Sequence, residues 1–248
     1  MILHSIDGPI AMISLNDPAK RNALSLPMFD ALDQSLARIA SDSAIHVVVL
    51  RGEGAAFCAG FDLGAAVEQS DLLPQYIARL SLLNRGLRRL PQVVVAAVHG
   101  AAIAGGCAIL SACDFVVIAA DARVGYPVHT IGISPAVTIP TLRLAIGDGA
   151  ARNLLLSGEL IDGVEAHRRG MATHLAPSPE AALAQAMERA RALAQKPPKA
   201  LRTTKAWLNE LDGSLRDAPF DATAQDSAAA SMHDQSRAML RAFWSRRT

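Results

Sequence analysis

Two short turns rich in glycine and alanine carry the residues of this sequence that are best suited to chemistry. One is Ala59–Gly60–Phe61–Asp62 and the other is Ala104–Gly105–Gly106. Each follows an apolar run and offers backbone N–H groups to an anion, and a helix that begins there adds a favourable dipole. Two such N–H groups aimed at one point stabilise the negative oxygen of an enolate, because they are rigid and need no reorganisation. One turn by itself is weak evidence, since glycine after a strand often only permits a tight turn.

The apolar runs that precede the two turns are Ile45–Leu50 and Val93–Val98, and a third run of the same kind is Phe115–Ala119. None of them alternates between apolar and polar residues. Continuous apolar strands are typical of sheets that are covered on both faces, as in α/β proteins. We therefore predict an α/β fold in which each turn lies where a buried strand ends and a helix begins.

Residue spacing predicts the neighbouring elements. Ile2–Ile6 and Ile10–Leu15 are typical of a β-hairpin. Apolar residues at helical spacing predict helices from Pro27, over Leu72–Leu90 and over Cys107–Ala112.

Composition excludes several classes of protein. Of the 248 residues, 51% are apolar and 19% are charged, which favours one large folded domain over a disordered chain. The formal net charge of +1 gives no global attraction for nucleic acid or for an anionic membrane, so we expect neither as a partner. The three cysteines, Cys58, Cys107 and Cys113, form no C-x-x-C pair. They predict neither a disulfide framework nor a metal site, and with no export signal visible the expected location is cytoplasmic.

The C-terminal half has a different character. After Thr138 the pattern is helical almost throughout. Asp162 with Glu165 three residues later is a capping-box pattern, which predicts the start of a helix. Pro197–Pro198 interrupts the chain before a last helical section, so we predict a core over residues 1–195 and a C-terminal helical region over residues 196–248.

A set of motifs, taken together, resembles the crotonase, or enoyl-CoA hydratase/isomerase, superfamily. In family order, the motifs are Asn16–Asp17–Pro18, Arg21–Asn22–Ala23–Leu24, Ala56–Phe57–Cys58–Ala59–Gly60–Phe61–Asp62–Leu63, Ala97–Val98–His99–Gly100, Ala104–Gly105–Gly106–Cys107, Cys113–Asp114–Phe115 and Ser157–Gly158–Glu159 through Gly170–Met171. They span nearly the whole chain, and the ordered set is highly specific. The resemblance implies an α/β spiral of ββα units with a helical C-terminal region. It also implies a homotrimer or a hexamer built as a dimer of trimers, with residues 196–248 as the trimerisation region.

The resemblance also implies roles for individual residues. It assigns the oxyanion hole to the backbone N–H groups of Phe61 and Gly105. It implies an acyl-CoA thioester as substrate, so coenzyme A enters as part of the substrate and no tightly bound cofactor or metal is expected. The positions that correspond to family contacts with coenzyme A are Lys20, Arg21, Ala23, Ala59, Phe61, Asp62 and Leu63. Arg246 lies where a neighbouring subunit of the family adds a cation, and its alternative reading is ordinary surface charge.

The sequence departs from the family at the positions that carry acid–base chemistry. Hydratases of the family use two glutamates, and here those positions are Ala108 and Val128. A further position, used by some members for an aspartate, is Ala136. General acid–base catalysis needs a proton-transferring group within hydrogen-bond reach of the reacting atoms. The usual two-carboxylate mechanism is therefore not available at its usual places.

Other polar residues near the predicted site remain as candidates. His129 is our acid–base candidate, with a structural, hydrogen-bonded histidine as the alternative. Tyr126 and Ser134 lie on the same stretch, and Glu68 and Asp71 follow the first turn as loop carboxylates. Cys58 and Cys107 lie beside the two turns, where burial is the expected role and a nucleophile would need an activating base.

The leading hypothesis is an acyl-CoA enzyme of the hydratase/isomerase type whose acid–base group lies outside the usual positions. Hydrolysis or decarboxylation of an acyl-CoA is the first alternative, because each needs the oxyanion hole without two glutamates. A non-catalytic paralogue that binds acyl-CoA is the second. The sequence leaves the acyl group and the pathway open.

Overall fold

The computed structural model describes residues 1–246. Its strands are β1 (Ile2–Asp7), β2 (Ile10–Leu15), β3 (Val47–Gly52), β4 (Val93–Val98), β5 (Ala101–Ile103), β6 (Phe115–Ala119), β7 (Arg123–Gly125), β8 (Leu160–Asp162) and β9 (His174–Ala176). Its α-helices are α1 (Leu26–Ser41), α2 (Leu63–Glu68), α3 (Leu72–Arg89), α4 (Gly105–Ala112), α5 (Ile139–Ser157), α6 (Gly163–Arg168), α7 (Pro179–Ala194), α8 (Pro198–Leu211), α9 (Ala218–Ser231) and α10 (Asp234–Trp244). Short 3-10 turns lie at Pro18–Lys20, Pro127–Ile131 and Ala136–Thr138.

The larger sheet has the strand order β1-β2-β3-β4-β6-β9. The hairpin predicted at the N-terminus is confirmed as the antiparallel pair β1–β2, and the other pairs in this sheet are parallel. Every residue of β4 is buried. Helix α7 covers β3, β4 and β6, while α1 packs against β1 and β2. Cover by helices explains why β4 and β6 are apolar throughout instead of alternating.

A second, smaller sheet has the strand order β5-β7-β8. Its strands β5 and β7 each follow directly on a strand of the large sheet. The chain leaves β4, turns at Gly100 and enters β5, and Gly100 has a φ of +58°. A Cβ there would lie 2.0 Å from the carbonyl oxygen of Ala55, so only glycine fits this corner. Strand β6 is likewise followed closely by β7, through the short link of residues 120–122. The repeated unit is thus a strand in the large sheet, a strand in the small sheet and then a helix or 3-10 turn.

Local sequence signals explain several helix starts. The Ser25 hydroxyl accepts a hydrogen bond from the Met28 amide at the start of α1, and Ser178 does the same for Ala181 at the start of α7. Asp162 caps α6 as predicted, because its carboxylate accepts from the Glu165 amide at 2.8 Å. Glu165 does not close the capping box, since its carboxylate pairs with Arg168 and Arg169 instead.

Two sequence predictions needed correction in the second half of the chain. Strands β8 and β9 interrupt the stretch that was predicted to be helical after Thr138. Each has three residues, which is too short to show a period of two, and each forms only by pairing with a distant strand. Helix α4 begins at Gly105, two residues before its predicted start at Cys107.

The C-terminal helices pack onto the rest of the chain. Helix α9 packs against α3, and α10 packs against α2 and the 127–131 turn. The predicted division after residue 195 falls in the link between α7 and α8. Of the predicted C-terminal region, residues 247 and 248 lie outside the described residues. Within residues 1–246, no helix is long and apolar enough to cross a membrane.

Candidate active site

Backbone pairing brings the two glycine-rich turns side by side. Cys58 and Ala102 form a parallel bridge. The Cys58 amide donates to the Ala101 carbonyl at 2.9 Å, and the Ile103 amide donates to the Cys58 carbonyl at 3.0 Å. The two segments therefore run in the same direction and end at the same level, where one continues into α2 and the other into α4.

The two turns are so close together that Gly60 and Gly106, which lie between them, have no room for a side chain. A Cβ at Gly60 would lie 3.0 Å from the Ile103 carbonyl oxygen and 3.7 Å from the amide nitrogen of Gly105. A Cβ at Gly106 would lie 2.3 Å from the Cys58 carbonyl oxygen. Gly60 also has a φ of +94°, which a side chain would strain. Close approach of the two backbones is therefore what requires glycine here.

The N–H groups of Phe61 and Gly105 have no acceptor within residues 1–246. Leu24 pairs with the first turn through its own amide, which donates to the Gly60 carbonyl at 2.7 Å, and its carbonyl, which accepts from Asp62 at 3.0 Å. This parallel bridge leaves the Phe61 N–H directed away from Leu24. Gly105 is the first residue of α4, so its N–H has no partner inside the helix.

Ala104, the residue before the second donor, has a strained backbone. Its φ is +50° and its ψ is −106°. A non-glycine residue in such a region costs about 1–3 kcal/mol and persists only where its surroundings enforce it. The Ala104 amide donates to the Gly125 carbonyl at 2.8 Å, and its carbonyl accepts from Ala108 at 2.8 Å. These bonds hold the peptide that carries the Gly105 N–H.

Asn22 holds the segment before the first turn in place through side-chain hydrogen bonds. It is fully buried, and its side-chain amide donates to the carbonyls of Glu53 at 2.9 Å and Ala56 at 2.8 Å. Its side-chain oxygen accepts from the Asp17 amide at 2.8 Å. The motif around Asn22 therefore locks the loop that leads to Phe61.

A small cavity of about 20 Å³ opens beside the two glycine-rich turns, which we call the donor turns because they carry the N–H groups of Phe61 and Gly105. Phe61 and Gly105 contribute to its wall. Ala108 and Val128, which the sequence resemblance places at the family's glutamate positions, also line it, and both are buried. The cavity has room for about one water molecule, and no carboxylate of residues 1–246 lines it.

The polar side chains of residues 1–246 that line this cavity all end in hydroxyl groups. The Tyr126 phenol lies 3.1 Å from the Thr138 hydroxyl, and both residues are 1% exposed. Burial raises the pKa of the Tyr126 phenol well above its ordinary value, so it stays neutral near pH 7. Ser134 lines the cavity as well. Sequence reasoning missed Thr138, because its pairing with Tyr126 depends on how the 127–138 segment folds back.

Comparison with known proteins identifies the family. A family profile described as Enoyl-CoA hydratase/isomerase matches residues 5–248. The chain belongs to the enoyl-CoA hydratase/isomerase family. A Thermus thermophilus protein named for enoyl-CoA hydratase is 37% identical over 244 residues, which cover 97% of this chain and 96% of that protein. The 2,3-dehydroadipyl-CoA hydratase of Escherichia coli is 34% identical over 209 residues, covering 81% of this chain and 78% of that enzyme.

The fold comparison agrees with the family assignment. A crystal structure of an enoyl-CoA hydratase/isomerase from Mycobacterium paratuberculosis has a TM-score of 0.86 to this chain at 28% identity. The likeness covers 97% of both chains. The predicted crotonase-type α/β fold with its helical C-terminal region is thereby confirmed.

Four of the residues predicted to contact coenzyme A are joined to one another beside the first glycine-rich turn: Lys20, Arg21, Ala59 and Asp62. The Ala59 amide donates to the Arg21 carbonyl at 2.9 Å, which joins the 21–24 loop to this turn. Lys20 pairs with Asp62 at 2.7 Å, and Asp62 also accepts from the Ala65 amide at the start of α2. The hydrogen bond to Asp62 raises the pKa of Lys20.

The other residues predicted to contact coenzyme A differ in their exposure to solvent. Ala23 is buried and Leu63 is half-buried, whereas Arg21 is exposed with a φ of +52°. Arg246 is exposed and donates to the Ala242 carbonyl at 3.1 Å.

The other candidates for acid–base or nucleophilic chemistry lie outside the cavity lining. The Nε2 atom of His129 lies 2.9 Å from the Leu155 carbonyl oxygen. Glu68 and Asp71 are exposed and do not line the cavity. Burial raises the pKa of both Cys58 and Cys107 to about 12, so neither thiol ionises near neutral pH. Among the described residues, no group of three or more His, Cys, Asp or Glu is arranged to hold a metal ion.

Proposed function

We propose that this protein binds an acyl-CoA thioester and stabilises an enolate on it, with the N–H groups of Phe61 and Gly105 as the oxyanion hole. The observation that carries the proposal is that these two donors have no acceptor within residues 1–246 and belong to residues that line one apolar cavity. Fixed donors of this kind are worth most where water is excluded, because the surroundings screen charge weakly. Coenzyme A would lie along the surface that contains Lys20, Ala59 and Asp62.

Hydration or double-bond isomerisation is the reaction class that we propose first. Hydration adds the oxygen of water to the β carbon of an enoyl thioester, moves negative charge onto the thioester oxygen and delivers a proton to the α carbon. The hydroxyl pair of Tyr126 and Thr138 supports this proposal, because each hydroxyl both donates and accepts hydrogen bonds. The pair can therefore hold a water molecule and pass a proton in a cavity that lacks carboxylates.

Decarboxylation or hydrolysis of an acyl-CoA is the second candidate. The replacement of both family glutamates by Ala108 and Val128 favours it, because loss of carbon dioxide yields an enolate without a base. That enolate would need the same oxyanion hole and one proton at the α carbon. A protein that binds acyl-CoA without turning it over is the remaining outcome.

A panel of thioesters separates these candidates. Loss of the enoyl thioester absorbance with crotonyl-CoA reports hydration, free thiol reports hydrolysis, and carbon dioxide from malonyl-type thioesters reports decarboxylation. We expect turnover of an enoyl-CoA above a control without protein. Calorimetric binding of acyl-CoA with no turnover of any panel member would mean that the protein binds acyl-CoA without catalysis. Absence of binding would contradict both the enzyme and the binding protein.

Replacement of Tyr126 by phenylalanine tests the hydroxyl pair. We expect Tyr126→Phe to lower kcat by about a hundredfold, because it deletes the hydroxyl that hands the proton on while keeping the ring that fills the core. Steady-state kinetics on the substrate found in the panel gives the result. An unchanged kcat would rule out Tyr126.

His129 stays the second proposal for the acid–base group, through its Nδ1 atom. His129→Ala is therefore the companion variant. A fall in its kcat with an unchanged melting temperature and unchanged CoA binding would transfer the role from Tyr126 to His129. A fall in melting temperature as well would point to the structural bond to Leu155.

We also propose that residues 196–248 form the contact region of a cytoplasmic homotrimer or hexamer. Helix α8 supports this, because three of its large apolar side chains are exposed: Trp207 by 62%, Leu208 by 59% and Leu211 by 81%. Contiguous exposed apolar side chains are typical of surfaces that another chain covers. Light scattering on the eluted protein measures the assembly, and a monomer would contradict the proposal.

A further inference from the structure

We propose that the acyl group bound at this site ends in a second, anionic group, a carboxylate, which Arg237 and Arg241 of α10 recognise. The inference deepens the proposed function and rests on it. It concerns a second cavity, of about 20 Å³, whose wall includes Leu73, Ser231 and the two arginines.

The second cavity lies along the same helix–helix contact as the first, the one between α3 and α9, which we call the α3–α9 seam. On α3, Leu73 lines the second cavity, while Ile77, one turn further along, lines the first. On α9, Ser231 lines the second cavity. One turn before it, the Ser227 hydroxyl accepts from the amide of Val137, which lines the first cavity. Both cavities thus lie along the contact between α3 and α9, and the proposal places the acyl chain along this contact, from the oxyanion hole toward α10.

Helix α10 closes the far end of this seam. It packs directly on α2, because a Cβ at Gly64 would lie 2.7 Å from the Trp244 ring. The face of α10 toward the second cavity carries Arg237, Leu240 and Arg241. Leu240 is 5% exposed, so the arginines flank an apolar wall.

The two guanidinium groups have no carboxylate partner within residues 1–246. The Nε of Arg237 is buried and has no hydrogen-bond acceptor, and its Nη2 contacts only the Met232 sulfur at 3.4 Å. Arg241 is exposed and forms no ion pair with a described residue. Among the described residues, no Asp or Glu lines the second cavity.

A carboxylate satisfies this arrangement better than any other part of an acyl chain. A buried donor without an acceptor is costly, and a guanidinium presents planar donors that match the two oxygens of a carboxylate. An uncharged chain end would bury apolar carbon beside Leu73 but would leave the Arg237 Nε unsatisfied. The two cations at the end of an apolar seam thus select an acyl-CoA with a terminal carboxylate.

Calorimetry with matched ligands tests the inference without requiring turnover. Adipoyl-CoA and suberoyl-CoA are compared with hexanoyl-CoA and octanoyl-CoA, which have the same chain lengths and the same coenzyme A. We expect the protein to bind at least one dicarboxylic ligand more tightly than its matched partner. We expect Arg237→Met to raise the Kd of that dicarboxylic ligand about tenfold and to leave the Kd of the monocarboxylic ligands nearly unchanged.

Control variants separate this result from its alternatives. Arg216→Met removes an exposed arginine between α8 and α9 and should leave the preference intact, and Arg237→Lys should keep part of it. Equal weakening of all ligands in Arg237→Met and Arg241→Met would show that these cations hold coenzyme A phosphates, which overturns the inference. Binding of hexanoyl-CoA without any preference overturns the inference but not the proposed function. Failure of every acyl-CoA to bind removes both.

Discussion

Gly105→Pro is expected to lower kcat by about a hundredfold to a thousandfold while the protein stays folded. Proline has no N–H, so the variant removes one of the two proposed oxyanion donors, and loss of a single donor has this effect in enzymes that stabilise a negative oxygen. Gly105 is the first residue of α4, a position where proline is well tolerated.

Gly105→Ala is the matched control, since it adds a methyl group and keeps the N–H. The new Cβ would lie 3.1 Å from the Leu24 Cδ1 and 3.3 Å from the Phe61 Cε1, so only side-chain atoms have to move. We expect this variant to lose far less kcat than Gly105→Pro. Steady-state kinetics and a thermal melt of both variants give the comparison. Equal activity of the two would sink the oxyanion assignment of Gly105.

Lys205→Met is expected to lower the free energy of unfolding by about 3 kcal/mol, because it leaves Asp114 without its cation. The Lys205 side chain is 7% exposed and its Nζ lies 2.6 Å from Asp114 Oδ2. The same ammonium donates to the Gln92 carbonyl at 2.9 Å. Asp114 also accepts from the Val94 amide at 2.8 Å, so the ion pair joins α8 to the start of β4.

Urea denaturation at a fixed protein concentration measures the effect, because assembly would make stability depend on concentration. Lys199→Met is the matched control, since Lys199 is exposed on the same helix. Lys205→Met combined with Asp114→Asn should recover part of the loss, as removal of the second charge relieves the unpaired one. Equal stability of the Lys205 and Lys199 variants would contradict the role of the buried pair.

The sequence predicted five of the six strands of the large sheet, including the first hairpin, and the helices α1 and α3 to within a few residues. Their signals are local: apolar runs such as Val93–Val98 and a helical spacing that continues over several turns. The ordered motifs also predicted the family and pointed to Phe61 and Gly105. Ala108 and Val128 are readable in the same way, because the loss of a carboxylate is a matter of residue type.

The sequence could not show how these residues meet. The pairing of Tyr126 with Thr138, the burial of Lys205 against Asp114 and the strands β8 and β9 each join parts of the chain that no local pattern relates. The same holds for the strained backbone of Ala104 and for the cavity beside Arg237. Residue types determined which groups were present and which carboxylates were missing. Tertiary structure decided which donors stay free and which charges stay unpaired, because hydrogen bonding and burial depend on neighbours in space rather than in sequence.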